Sequence, residues 1–211
     1  MNKYNLTAEN LSKNFGRRII FRDINFSYES GNIYGVSGRN GSGKSTLVKI
    51  IAGIISASSG KILHNNSEGN IPSEKLHNHI GFVAPYLFLY DEFTAVENLQ
   101  NFAKIRGVKY DEEKINYLLQ ELVIYDRRND FVKAYSSGMK QRLKFAFALQ
   151  HSPGLIVLDE PTSNLDSAGK EAVYKIVKEE AKNSLVLIAS NEETDLALCK
   201  ETLNLEGFKK G

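Results

Sequence analysis

Gly38-Arg39-Asn40-Gly41-Ser42-Gly43-Lys44-Ser45-Thr46 is the stretch on which the reading of this chain turns. It spells a glycine, four free positions, then Gly-Lys-Ser, the pattern of a phosphate-binding loop. Several backbone N–H groups pointing inward at once hold a triphosphate well. A side chain would block that approach, so Gly41 and Gly43 keep the loop bare and open to unusual φ angles. The spacing predicts a helix from Ser45 to about Ala52, stopped by Gly53. Its N-terminus offers free donors and partial positive charge to an anion. Lys44 adds a full charge at the outer phosphates, and the Ser45 hydroxyl is placed to ligate Mg²⁺. The apolar run Ile33-Tyr34-Gly35-Val36 leads into the loop as a strand.

Outward from the loop, residues 3–28 alternate apolar and polar. They predict antiparallel strands, Leu6 to Phe15 and Ile19 to Phe26, joined at Phe15-Gly16-Arg17-Arg18. Lys61-Ile62-Leu63 and Ile80-Gly81-Phe82-Val83 read as short strands, with residues 64–79 as a polar surface loop. Amphipathic helices are expected over 94–106 and 111–122, capped by Thr94 and Asp111 and separated by Gly107. A charged connection over 126–135 leads to a helix from Gly138 to Gln150, ending before Pro153. Leu155-Ile156-Val157-Leu158 is continuously apolar, as a strand buried on both faces of a parallel sheet must be. Helix 167–182, strand 185–189 and a hairpin of Thr202-Leu205 with Phe208-Lys209 around Glu206-Gly207 complete the reading.

Composition narrows the function. The 211 residues suffice for one large domain or a domain with a lobe, and 42% hydrophobic content supports a full core. With 27 basic against 25 acidic residues the net charge is +2. The pairs Arg17-Arg18, Arg127-Arg128 and Lys209-Lys210 form no basic stripe, so no nucleic-acid partner is expected. The one cysteine, Cys199, excludes an internal disulfide and suits a reducing compartment. No apolar run approaches the ~18 residues of a membrane span. Met1-Asn2-Lys3-Tyr4-Asn5 lacks the apolar core of a signal peptide. A cytoplasmic protein follows, brought to any membrane by a partner. The four histidines lack metal-site spacing with cysteine.

Two further constellations carry chemistry. Asp159-Glu160 lies at the carboxyl end of a predicted buried strand, where ligands of α/β folds bind. One carboxylate there can hold Mg²⁺ and a second can orient or deprotonate an attacking water; the bland reading is a solvated strand end. Upstream, Ser136-Ser137-Gly138 sits where it can cap the following helix or face a phosphate. Taken alone it is a cap signal.

Phosphate loop 38–46, Ser136-Ser137-Gly138, Leu158-Asp159-Glu160-Pro161-Thr162 and Ser163-Asn164-Leu165-Asp166 occur in the order and spacing of one family. Over essentially its full length the chain resembles the ATP-binding cassette (ABC) ATPases. The resemblance implies an α/β P-loop NTPase with a mostly parallel core sheet, an N-terminal antiparallel β subdomain and an inserted α-helical lobe. It implies a single ATP-binding domain over 1–211, with residues 1–85 and 151–211 as the nucleotide-binding core and 86–150 as the helical signature lobe. Phe15 would stack on adenine, its alternative being a core aromatic. Gly38 to Thr46 would hold ATP, Ser45 and Asp159 would hold Mg²⁺, and Glu160 would be catalytic. Ser136, Ser137 and Gly138 would act on the ATP of a second protomer, identical or paralogous, and Asp166 would lie in the loop crossing that interface. Asn191 falls at the γ-phosphate sensor.

Three positions depart from the family pattern. The signature, usually Leu-Ser-Gly-Gly-Gln, reads Tyr135-Ser136-Ser137-Gly138-Met139. The family's glutamine falls at Pro85, which has no side-chain ligand and no N–H. The family's histidine falls at Asn191, which can donate a hydrogen bond but carries no charge. Mg-dependent hydrolysis is therefore expected to be slow. The aromatic run Phe82 to Phe93 lies where a transporter ATPase receives a helix of its membrane partner, or else packs the lobe onto the core. The leading expectation is the ATP-binding subunit of an ABC transporter, peripheral on the inner membrane face through an integral-membrane permease. Its short length resembles the small haem-export, cytochrome c maturation or ABC-2 type ATPases. A soluble ABC ATPase of a non-transport machine, or a slow regulatory ATP binder, stays open.

Overall fold

A computed structural model describes residues 3–208. Two strands come first, β1 (Asn5–Phe15) and β2 (Arg18–Glu29), followed by β3 (Ile33–Ser37) and helix α1 (Lys44–Ile51). Next are β4 (Ser59–Asn66), β5 (Gly69–Asn70) and β6 (Ile80–Val83), then helices α2 (Ala95–Arg106), α3 (Glu112–Glu121) and α4 (Ser137–Leu149). The chain continues through β7 (Leu155–Asp159), α5 (Ser167–Glu180), β8 (Leu185–Ala189), α6 (Glu193–Leu196) and β9 (Glu201–Asn204). The architecture is α/β, with the parallel sheet, the antiparallel sheet and the inserted helices that the sequence led us to expect.

The strands form two sheets. A four-stranded antiparallel sheet has the order β2-β1-β4-β5, and a five-stranded sheet the order β6-β7-β8-β3-β9. Every pairing in the second is parallel. β7 and β8 are buried at every position. Alternation then sends their side chains to two different cores. Ile156, Leu158, Val186 and Ile188 pack against α2, α3, α4 and α5. Leu155, Val157, Leu185 and Leu187 pack against α1 and the antiparallel sheet. Each such side chain contributes roughly 1.5–3 kcal/mol of burial. The continuous apolar run therefore marks the centre of a layered structure, and its end is fixed from both sides.

The helix ends follow their sequence signals. Thr94 caps α2 with a reciprocal Glu97 contact, and Gly107 ends it at φ 69°. Asp111 caps α3 through the Lys114 N–H at 3.0 Å. Gly81 serves a different purpose. A Cβ there would lie 2.4 Å from the Ala148 carbonyl oxygen and 2.9 Å from Pro153, so its bareness lets α4 lie close against β6.

Two expectations fail. Thr202–Leu205 forms no hairpin: β9 pairs parallel with β3, and Leu205–Phe208 is a 3-10 turn. The backbone groups at the free edge of β3 take β9 as their partner. Lys209 of that expected hairpin and the Lys209-Lys210 pair lie outside the described residues. Nor are residues 64–79 a plain loop. β4 runs on to Asn66, turns into β5, and a 3-10 helix spans Ser73–Asn78 around buried Leu76.

Two outcomes are expected. Gly81→Ala should lower the unfolding free energy by about 1–3 kcal/mol through overpacking against α4, measured by urea denaturation. Burial lowers the pKa of His64 and of His151 to about 4 each. The unfolded chain then binds more protons than the folded one between pH ~6.5 and ~4, so stability falls as pH drops through that window. The His64 share is up to ~3 kcal/mol. Unfolding curves for wild type and His64→Gln from pH 7 to 4 should show a shallower acid limb in the variant.

Candidate functional site

The loop between β3 and α1 is shaped by contacts that exclude side chains. Gly38 adopts φ +141°, and a Cβ there would sit 2.8 Å from the Ser42 hydroxyl. Gly43, the residue before α1, adopts φ +111°, and its Cβ would strike Ile20 at 2.5 Å. Glycine is required at both. Arg39 turns outward, its N–H donating to Glu206 at 3.1 Å.

Lys44 is the centre of the site. It is only 5% exposed. Its ammonium donates to the Gly38 carbonyl at 2.8 Å and to Asn191 Oδ1 at 2.9 Å, and lies 3.6 Å from Glu160 Oε1. The Asn191 amide in turn donates to Asn40 Oδ1 at 2.7 Å, tying the end of β8 to the loop. Glu160 carries a positive φ of 47°, and its N–H donates to the Ala189 carbonyl at 2.8 Å. Burial raises the Glu160 pKa; Lys44 opposes this and neighbouring Asp159 adds to it.

Asp159 is almost fully buried at the end of β7. Burial pushes its pKa up, while hydrogen bonding from Ser45, the charge of Lys49 and hydrogen bonding from Tyr86 pull it down. Its Oδ1 atom is buried with no hydrogen-bond partner among the described residues. An orphaned buried carboxylate oxygen fits a hard cation. Among the described residues no three His, Cys, Asp or Glu side chains gather to hold a metal alone.

A cavity of about 450 Å³ opens above these groups. It is lined by Phe15, Arg18, Ile20, Asn40, Gly41, Gly43, Lys44, Ser45, Thr46 and Glu160. Phe15 is 53% exposed with the Lys13 ammonium 4.7 Å above its ring, so it is no core aromatic. Ser136, Ser137, Gly138 and Asp166 do not join this cavity. The Ser136 hydroxyl caps α4, accepting from the Met139 N–H at 3.2 Å. Asp166 caps α5, accepting from the Gly169 N–H at 2.8 Å. Gly138 packs toward the Asn164 carbonyl and Leu165.

Some of the site lies beyond sequence motifs. Fully buried Asp195 accepts from Tyr174 at 2.7 Å, Ser190 at 2.7 Å and Thr162 at 3.0 Å. This anchors the turn that carries Asn191, through Ser190. The Gln141 amide donates to the Pro161 carbonyl at 3.0 Å, joining α4 to the segment after Glu160. The aromatic run divides. Leu89 packs on the helical core, whereas Phe88 is 93% exposed and Tyr90 64%. An apolar cavity of about 210 Å³ beside it is lined by Phe82, Leu87, Phe88, Leu89, Phe102 and Phe147, with Arg106 and Lys144 among its other walls.

The chain is similar to known proteins. Residues 21–163 match the family described as ABC transporter. The chain is 35% identical to the lipoprotein-releasing system ATP-binding protein LolD of Treponema denticola, covering 98% of this chain and 99% of that protein. It is 32% identical to the linearmycin resistance ATP-binding protein LnrL of Bacillus subtilis over 87% of this chain. The chain spans 60% of LnrL's length, and 64% and 61% of two further Bacillus subtilis ABC transporter ATP-binding proteins. A solved ATP-binding subunit of an ABC transporter superposes with a TM-score of 0.82 at 25% identity, over 94% of this chain and 85% of that one. With a family match over more than half its length and a relative aligned nearly end to end, the chain belongs to the ABC transporter family.

Proposed function

We propose that this chain is the ATP-binding and ATP-hydrolysing subunit of an ABC transporter. It drives a separate integral-membrane permease through ATP-dependent pairing with a second ATPase protomer. The observation that carries this reading is one cavity lined by Lys44, Ser45, Glu160 and exposed Phe15, with Asn191 bonded to Lys44 and Asn40 of its wall. Its floor is cationic and suits phosphates, and its rim is aromatic and suits a base. The names of the relatives, ATP-binding proteins of lipoprotein-release and lantibiotic-transport systems, support the same role.

In this reading residues Gly38 to Thr46 cradle the phosphates and Phe15 stacks on adenine. Ser45 and Asp159 would hold Mg²⁺, which would offset phosphate charge. Glu160, its pKa raised by burial, takes a proton from the attacking water. Asn191 donates to the γ-phosphate. It cannot supply a charge, so turnover is slow. Ser136, Ser137 and Gly138 face the nucleotide of the second protomer, with Asp166 near the shared interface. Residues 1–85 and 151–211 act as the nucleotide-binding core and 86–150 as the helical lobe. The exposed aromatics around Phe88 receive the permease, which holds the chain at the inner face of the membrane. No helix among the described residues is long and apolar enough to cross a membrane.

Replacing Glu160 by Gln should lower phosphate release under saturating Mg-ATP by about 10²-fold or more while nucleotide still binds. The same variant should hold an ATP-bound dimer by light scattering. Unchanged phosphate release removes Glu160 from the mechanism, and a monomer with ATP counts against the paired site. Phe15→Ala should weaken ATP binding by ~1–3 kcal/mol, the range for base stacking, in a fluorescence titration. An unaltered affinity would leave Phe15 without a role in adenine binding.

A further inference from the structure

Asp195 is an acidic group buried without a basic partner. It lies in α6 with no exposed surface, and no ion pair among the described residues includes it. Three hydroxyls answer it instead. Tyr174 of α5 donates to Oδ1 at 2.7 Å, Thr162 to the same atom at 3.0 Å, and Ser190 to Oδ2 at 2.7 Å. Burying a carboxylate costs several kcal/mol even after relaxation, and apolar packing in the same space would avoid that cost. What the carboxylate supplies is direction. An ionised carboxylate only accepts, so each hydroxyl must turn its one proton toward Asp195.

Two of those hydroxyls belong to segments that leave the parallel sheet for the cavity. Thr162 lies two residues after Glu160, and Ser190 immediately precedes Asn191. With its proton committed to Asp195, the Ser190 oxygen accepts the Glu192 N–H at 3.1 Å, which closes the turn around Asn191. The same hydroxyl lies 3.5 Å from Glu160 Oε2. Asn191 and Glu160 are also the two side chains that meet the Lys44 ammonium. We propose that Asp195 is a positioning residue for ATP hydrolysis: by holding Thr162 and Ser190 on one buried carboxylate, it fixes the separation of Glu160 from Asn191. This rests on the ATPase reading of the cavity. A network that served only the fold would leave the turnover of the folded protein unchanged.

Two variants separate these roles. Asp195→Asn keeps the size of the side chain but sets an N–H₂ group against one of the hydroxyls, and Ser190→Ala removes the donor beside Asn191. Phosphate release measured over a range of Mg-ATP concentrations should show kcat lowered about tenfold or more in each, within the ~10²-fold that a misplacement of about 1 Å can cost. KM, and the affinity for a non-hydrolysable ATP analogue, should stay within roughly twofold of wild type. The double variant should be no slower than Asp195→Asn alone, since both changes act through one contact. Wild-type kcat in Ser190→Ala overturns the proposal, whatever Asp195→Asn does to folding. So does a loss of analogue affinity that matches the loss of kcat, which would assign the network to the shape of the whole site, and so do losses that multiply in the double variant. A wild-type protein that binds ATP but releases no phosphate removes the hydrolytic reading itself, and the proposal with it.

Discussion

A buried ammonium has to be answered by acceptors, and Lys44 sets the terms for everything around it. Removing a charge from water costs several kcal/mol even after relaxation. Lys44 meets that cost with the carbonyl of Gly38, the amide oxygen of Asn191 and the carboxylate of Glu160. Those residues follow β3, β8 and β7, which are neighbours in the order β7-β8-β3. Parallel strands present their carboxyl ends on one edge, so one cation can tie three of them together only in a sheet of this connectivity. The layered core and the charged site are thus two aspects of one constraint. Burial of β7 and β8 on both faces fixes where their ends lie, and Lys44 binds those ends to the loop.

The adjacent pair Asp159 and Glu160 would point to opposite faces if the strand simply continued. It does not. β7 ends at Asp159, and Glu160 turns to φ 47°, a conformation costing about 1–3 kcal/mol for a non-glycine residue. The Ala189 carbonyl holds its N–H in that position. The result is two carboxylates with separate surroundings. Asp159 lies deep with one oxygen unpartnered, and Glu160 lines the open cavity beside an ammonium. Such separation suits the division of labour proposed for them, one toward a cation and one toward water.

What could be read from sequence was what is contiguous in sequence. The run Leu155 to Leu158 announced a strand buried on both faces, because burial leaves no polar position to interrupt it. Thr94, Asp111 and Gly107 announced helix ends, because capping acts over three or four residues. β9 was misread because Glu201-Thr202-Leu203-Asn204 has no partner preference of its own. Its parallel pairing with β3 joins positions more than 160 residues apart, from Tyr34↔Glu201 to Ser37↔Asn204. Residues 64–79 hid a strand end and a 3-10 helix behind polar side chains, with Leu76 the buried residue of that helix. In the site, Lys44, Asp159 and Glu160 were legible as motifs. Asp195 was not, because it meets Thr162 and Ser190 only through the fold.

The cavity above Lys44 is walled by the antiparallel sheet's rim, the phosphate loop and Glu160, and by nothing from α2, α3 or α4. The Ser136 end of α4 lies with Asn164 and Leu165 instead. Under the proposed function this incompleteness is what makes the molecule useful. A chain that enclosed its nucleotide alone would hydrolyse it without changing its association with anything else. A chain that leaves one wall to a second copy makes nucleotide binding and pairing reciprocal, since each must strengthen the other by the same free energy. A two-fold arrangement then closes both sites at once, each copy lending the same surface it borrows. Loss of the γ-phosphate removes part of that shared free energy, and the pair loosens where a membrane partner can respond.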